Sequence, residues 1–131
     1  MKVKIEHIAI WTKDIERARD FYVKYFDMVC GKKYHNPTKQ FTSYFLSFSN
    51  SDVRIELMHR PDILVQHDKK GMVNGLAHFA IAVGSKQAVH TLTERLRQDN
   101  FIIESEPRTT GDGYYESVVL DTEGNLIEIT I

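Results

Sequence analysis

Cys30 is the only cysteine, so no disulfide can close within the chain, and such sparing use of thiols fits a reducing compartment. Positive charge is not in excess either. Lys and Arg number 17 against 18 Asp and Glu, a formal net charge of −1. A module that grips nucleic acid by neutralising phosphates is basic, and no basic cluster is present, so nucleic acid is not an expected partner. No apolar run approaches the ~18 residues of a membrane span. Met1 to Trp11 alternates apolar residues with Lys, Glu and His, and so lacks the apolar stretch of a signal peptide. The expectation is a cytoplasmic protein with no membrane partner. Low-complexity sequence is also missing. What remains is 131 residues with 42% hydrophobic and 11% aromatic content, enough for one domain with a real core.

The chain repeats itself. Ile5-Glu6-His7-Ile8-Ala9-Ile10 and Leu76-Ala77-His78-Phe79-Ala80-Ile81 both read apolar-x-His-apolar-Ala-Ile. Each is followed by a helical pattern and then by strand-like runs, and the halves close on Arg54-Ile55-Glu56-Leu57 and Leu126-Ile127-Glu128-Ile129. His7 and His78 are 71 positions apart, and Glu56 and Glu128 are 72 apart. Matched spacing of this kind marks an internal duplication.

Each half predicts the order βαβββ. In the first, Lys4–Trp11 alternates as a strand. Asp14 to Met28 reads as a helix, with Asp14 as N-cap, Gly31 as stop and Ile15, Ala18, Phe21, Tyr22, Tyr25 and Phe26 on one face. A short strand around 32–34 follows, then strands at about 42–48 and 53–58. In the second half the strand 76–83 leads to a helix at about 86–100 with Val89, Leu92 and Leu96 inward. Strands near 102–104, 114–120 and 125–131 complete it. A 59–75 connection containing Pro61, Gly71 and Gly75 joins modules at about 1–58 and 76–131, as a linker or a lid. The fold class expected is therefore α+β: two βαβββ modules in one domain, 1–131, with curved mixed sheets forming an open barrel.

Side chains alternate across a strand. His7 shares a face with Ala9 and Trp11, and His78 with Ala80 and Ala82. Glu56 shares one with Arg54 and Met58, and Glu128 with Leu126 and Thr130. The opposite faces are apolar and suit helix packing. An unpaired carboxylate in mid-strand costs several kcal/mol if buried. Finding it twice, at matched positions relative to a matched His, points to one divalent metal shared by His7, Glu56, His78 and Glu128. Alternatively, the His residues lie at edges and the Glu residues face solvent. Mixed nitrogen and oxygen donors suit Ni, Zn, Co, Mn or Fe.

At these residues the chain resembles the vicinal oxygen chelate superfamily, the glyoxalase I, bleomycin-resistance and extradiol dioxygenase group. Asp20-Phe21-Tyr22 adds to the likeness, and Asp121-Thr122-Glu123-Gly124-Asn125-Leu126-Ile127-Glu128 looks like the superfamily's Asp-x-x-Gly-x-x-x-Glu signature. The His, Glu, His, Glu order resembles bacterial glyoxalase I. That likeness implies a metal, Ni or Zn foremost, and a lyase or isomerase acting on a thiol adduct of a 2-oxoaldehyde through an enediolate. It implies Glu128 as the base, with Glu56 as the alternative, and a homodimer. The resemblance leaves two alternatives: another metalloenzyme of the superfamily (thiol transfer to an antibiotic, epimerisation or oxygenation), or a non-enzymatic protein that captures a small molecule.

One position departs from the resemblance. Glyoxalase I commonly has Arg four residues after its first His, where it holds a glutathione carboxylate, and here that residue is Trp11. Trp11 can stack on a planar or apolar substrate. Arg54 and Arg60 are candidates for the lost charge, and Tyr114 is a further substrate-contact candidate. His35, His59, His67 and His90 read as surface residues, with His59 facing away from Glu56. Cys30 reads as a small packing residue. Gly111-Asp112-Gly113 lacks the following helix of a phosphate loop.

Overall fold

The alternating and helical patterns fold into β1 (His7–Trp11), α1 (Ile15–Phe26), β2 (Val29–Cys30), β3 (Tyr34–Asn36), β4 (Phe41–Ser47) and β5 (Arg54–His59). The second set is β6 (His78–Ala82), α2 (Lys86–Gln98), β7 (Ile103–Thr109), β8 (Tyr115–Leu120) and β9 (Leu126–Thr130). This is a computed structural model, and it describes residues 1–65 and 68–131. His67, expected on the surface of the connection, lies outside the described residues. The chain divides into a first unit, Met1–Val65, and a second that ends at Ile131. The fold class is α+β with open mixed sheets, as expected.

In the first unit β5 pairs in parallel with β1 and antiparallel with β4. The sheet order is β1-β5-β4-β2, with β3 also on β4. The short strand expected around 32–34 is thus two pieces, each using part of β4. Asp14 caps α1, its carboxylate accepting from Arg17 N at 3.0 Å, so one free N–H of the first turn is satisfied. All six apolar residues read onto one face of α1 are buried. They cover Ile55, Leu57 and Leu46 of the sheet, which are 3% exposed or less. Full burial of such a side chain stabilises by roughly 1.5–3 kcal/mol. The helix stops earlier than Gly31. Asp27 takes a left-handed conformation at φ 51°, which a short polar side chain tolerates. Gly31 instead donates its N–H to Phe45 O at 2.9 Å beside the β2–β4 pair.

The second unit repeats the plan in the order β6-β9-β8-β7, with β6 and β9 parallel. Ser85 caps α2 through Ala88 N at 3.1 Å. Val89 and Leu96 are buried against Val119, Ile127 and Ile129. The third fully covered residue of α2 is Thr93 rather than Leu92. Its hydroxyl donates to Val89 O at 2.6 Å and meets Ser117 Oγ at 2.8 Å, so this buried polar pair satisfies itself.

The turn between β8 and β9 explains its sequence signature. Buried Asp121 accepts from Glu123 N at 2.8 Å and Asn125 N at 2.9 Å, and Asn125 Nδ2 reaches its other oxygen at 2.9 Å. Gly124 sits at φ 80°, where a side chain would be strained. The later part of the connection is fastened to this unit. Lys70 Nζ donates to Glu123 O at 2.7 Å, and a Cβ on Gly71 would come within 2.4 Å of Ala77 O.

Candidate metal centre

Strand register builds the same pair in each unit. In the parallel β1–β5 ladder Ala9 is opposite Glu56, and in β6–β9 Ala80 is opposite Glu128. Each Glu therefore lies two positions along from the matched His, on the same face. His7 Nε2 is 3.8 Å from Glu56 Oε1, and His78 Nε2 is 3.0 Å from Glu128 Oε1. The carboxylates have side-chain exposures of only 15% and 19%, so neither is a freely solvated surface acid.

The structure brings the four candidate ligands together as two pairs. Among the described residues, no group of three or more His, Cys, Asp or Glu side chains gathers where it could hold one ion. Each pair offers one imidazole nitrogen and one carboxylate, donors that fit a divalent ion of borderline hardness. Around His7 the fit is closer still. Its Nδ1 is bonded to Glu6 Oε2, and a carboxylate can only accept, so the neutral ring keeps its lone pair on Nε2, towards Glu56.

Around the first pair the face is aromatic. Phe45, opposite Glu56 on β4, meets His7 edge-on with centroids 5.3 Å apart. Trp11 is 38% exposed and meets Phe41 edge-on at 6.2 Å, and Tyr34 lies 6.1 Å from the same ring. Arg60 sits 5.6 Å over the Trp11 ring and is paired with Asp62 at 2.6 Å. Arg54 is bonded to Glu6 and lies 4.1 Å over Phe45. Tyr114 is exposed in the turn before β8, its backbone tied to Thr110.

Around the second pair the face is acidic. Glu116 is opposite Thr130, and Val118 is opposite Glu128, so Glu116 and Glu128 share a face of neighbouring strands. Burial pushes the Glu116 carboxyl above its ordinary value. The charge of Glu128 and a hydrogen bond to it push the same way, as does the charge of Asp112, while His78 pulls it back. Sequence reasoning passed over Glu116 in favour of Tyr114. The alternation along β8 was the available signal. Tyr115 points to α2 instead, where it bonds His90 and underlies Lys86 Nζ at 4.8 Å.

The discounted residues have structural partners. His59 Nδ1 bonds Thr12 O at 2.8 Å, off the Glu56 face, and His35 Nδ1 meets Thr42 Oγ1 at 3.0 Å. Burial pushes the Cys30 thiol up, away from a reactive thiolate. Gly111–Gly113 lies in the β7–β8 turn, closed by Thr110 and Tyr114.

Both units thus carry a matched His–Glu pair set by the same strand register. Residues 4–129 match the model of the Glyoxalase/Bleomycin resistance protein/Dioxygenase superfamily, and the chain belongs to that family. Glyoxalase I from Zea mays superposes with a TM-score of 0.79 at 25% identity, covering 97% of this chain and 44% of that one. The present chain thus spans less than half the length of the maize enzyme. The trypanothione-dependent glyoxalase I of Leishmania major gives a TM-score of 0.77 at 24% identity, covering 98% and 86% of the two chains. A glyoxylase/bleomycin resistance protein/dioxygenase domain from Frankia sp. EAN1pec gives 0.83 at 14% identity, covering 100% and 98%. These last two likenesses concern the fold. No curated protein sequence matches the chain significantly.

Proposed function

We propose that this chain is a divalent-metal-dependent lyase of the glyoxalase I type, acting on a thiol adduct of a 2-oxoaldehyde. The observation that carries the reading is the repeated His–Glu pair, built twice by the same strand register. Likeness to maize glyoxalase I across nearly the whole chain supports it.

His7, Glu56, His78 and Glu128 would hold the ion, with Ni or Zn foremost and Co, Mn or Fe also suited to the donors. Bound there, the ion supplies Lewis-acid charge beside the reacting oxygens. Glu128 takes the proton from one carbon and returns it to the neighbouring one, so the adduct is isomerised with no net loss of atoms. Glu56 is the alternative base. Trp11, Arg60 and Arg54 flank the first pair as substrate contacts, and Tyr114 is a further contact in the second unit. The two modules act as one domain, and the working form is a cytoplasmic homodimer.

Elemental analysis of protein purified without chelator or affinity-tag metal tests the reading. About one transition-metal ion per chain is expected, and it is lost in a His78→Ala/Glu128→Ala double variant. Absence of metal after incubation with Ni, Zn, Mn and Co would overturn it. Mixing that variant with a His7→Ala/Glu56→Ala variant then locates the site. Metal binding returns on mixing if the pairs come from two chains, and stays lost if one chain supplies both.

A further inference from the structure

His7 and His78 occupy matched positions, yet they are held differently. His7 Nδ1 bonds Glu6 Oε2, and Arg54 Nη2 bonds the other Glu6 oxygen. The Glu6 carbonyl also accepts Arg54 N–H at 3.0 Å, which fixes the backbone of Glu6 to β5. Arg54 lies 4.1 Å over the ring of Phe45, and that ring meets His7 at 5.3 Å. His7, Glu6, Arg54 and Phe45 therefore close a circuit of contacts around one imidazole. Nothing in the second unit's sequence can repeat it: Ala77 stands where Glu6 does, and Leu126 stands where Arg54 does.

We infer that Glu6 and Arg54 are positioning residues for His7. Glu6 sets its tautomer and ring orientation, and Arg54 sets Glu6, so the first His–Glu pair is the pre-organised half of the metal site. The consequence for metal rests on the function proposed above, whereas the tautomer does not. A carboxylate on the far nitrogen of a ligating His orients the ring and makes it a better donor, and losing such a partner costs roughly 10–100-fold in metal affinity. Arg54 acts one step further away through a fork and a ring contact that Lys does not reproduce.

The test uses the full chain, freed of metal and labelled with nitrogen-15. In neutral imidazole the His7 proton is expected on Nδ1, and Glu6→Ala should release it to Nε2. Titration with Co(II) should then show Glu6→Ala weakened by roughly 10–100-fold, and Arg54→Lys weakened less. In a His7→Ala background, Glu6→Ala should change nothing further. A wild-type His7 protonated on Nε2, or a Glu6→Ala variant that binds Co(II) as the wild type does, would overturn the inference. If the wild type takes up no Co(II), the proposed function falls, and the His7 tautomer alone decides between these outcomes.

Discussion

Glu128 Oε1 lies 3.0 Å from His78 Nε2 because β9 returns parallel to β6, with Ala80 opposite Glu128. Parallel pairing of the first and last strands of a module brings together residues some fifty positions apart in sequence. The same ladder in the first unit sets Glu56 beside His7. A duplicated fold thus delivers a duplicated His–Glu pair, and the differences between the halves lie in what surrounds each pair.

Glu128 is the expected base. Glu128→Gln keeps the shape of the side chain and removes its charge. Turnover of hemithioacetals is expected to fall by roughly 10²–10⁴-fold, the range for loss of a general base, and by more than in Glu56→Gln. Steady-state rates on metal-loaded protein, beside a metal assay of each variant, check this. Full turnover by Glu128→Gln with metal retained would move the role to another group.

Glu116 makes stability depend on pH in the metal-free protein. Burial and the charge of Glu128 raise its folded value above the ordinary 4.5, so the folded state holds this proton more tightly than the unfolded chain. The stabilisation is fully present below the ordinary value and is lost as pH rises through the folded one. Above that folded value the ionised Glu116 works against the fold. Like charges facing each other on neighbouring strands are destabilising. Glu116→Gln should raise the melting temperature in chelator at neutral pH, and the gain should vanish on acidification below the ordinary carboxylate value. An equal gain at both ends of the titration would show that charge is not the cause.

Much of this was legible in the sequence. The six buried residues of α1 follow from a 3.6-residue period, and the faces of His7, Glu56, His78 and Glu128 follow from strand alternation. What escaped depended on partners distant in sequence. Thr93 displaced Leu92 from the centre of the α2 contact because Ser117, on β8, satisfies its hydroxyl. Glu116 joined Glu128 through the β8–β9 register, and Glu6 drew in Arg54 across the β1–β5 edge. Periodicity assigns a residue to a face, whereas register decides which charges on that face meet.

The Thr93–Ser117 pair should show strong coupling. Thr93→Val leaves the buried Ser117 hydroxyl short of its partner, a penalty of about 1–3 kcal/mol, whereas in Ser117→Ala the Thr93 hydroxyl keeps Val89 O. Thr93→Val should therefore lower the urea midpoint more than Ser117→Ala, and the double variant should lose less than the sum, since the Ser117 hydroxyl that Thr93→Val leaves unpaired is then gone. Additive losses would mean that the two hydroxyls do not depend on each other.

Trp11 is expected to set which thiol adduct is accepted. It is the only tryptophan in the chain, so its fluorescence reports directly on anything that stacks there. Its ring is exposed beside Phe41, and the Arg60 guanidinium over it already has Asp62 as a partner. That surface offers a flat apolar contact rather than an unpaired positive charge, and so favours a planar or apolar group over the carboxylates of glutathione. Trp11→Arg supplies the missing charge. A hydrogen bond to a charged group contributes about 1.5–3 kcal/mol, so kcat/KM for a glutathione adduct should rise by roughly 10–100-fold, while adducts of apolar thiols lose ground. Competition between the two adduct types on wild type and variant reads the switch. An unchanged ratio would place substrate away from Trp11, and an adduct that leaves the fluorescence of the wild type untouched would say the same.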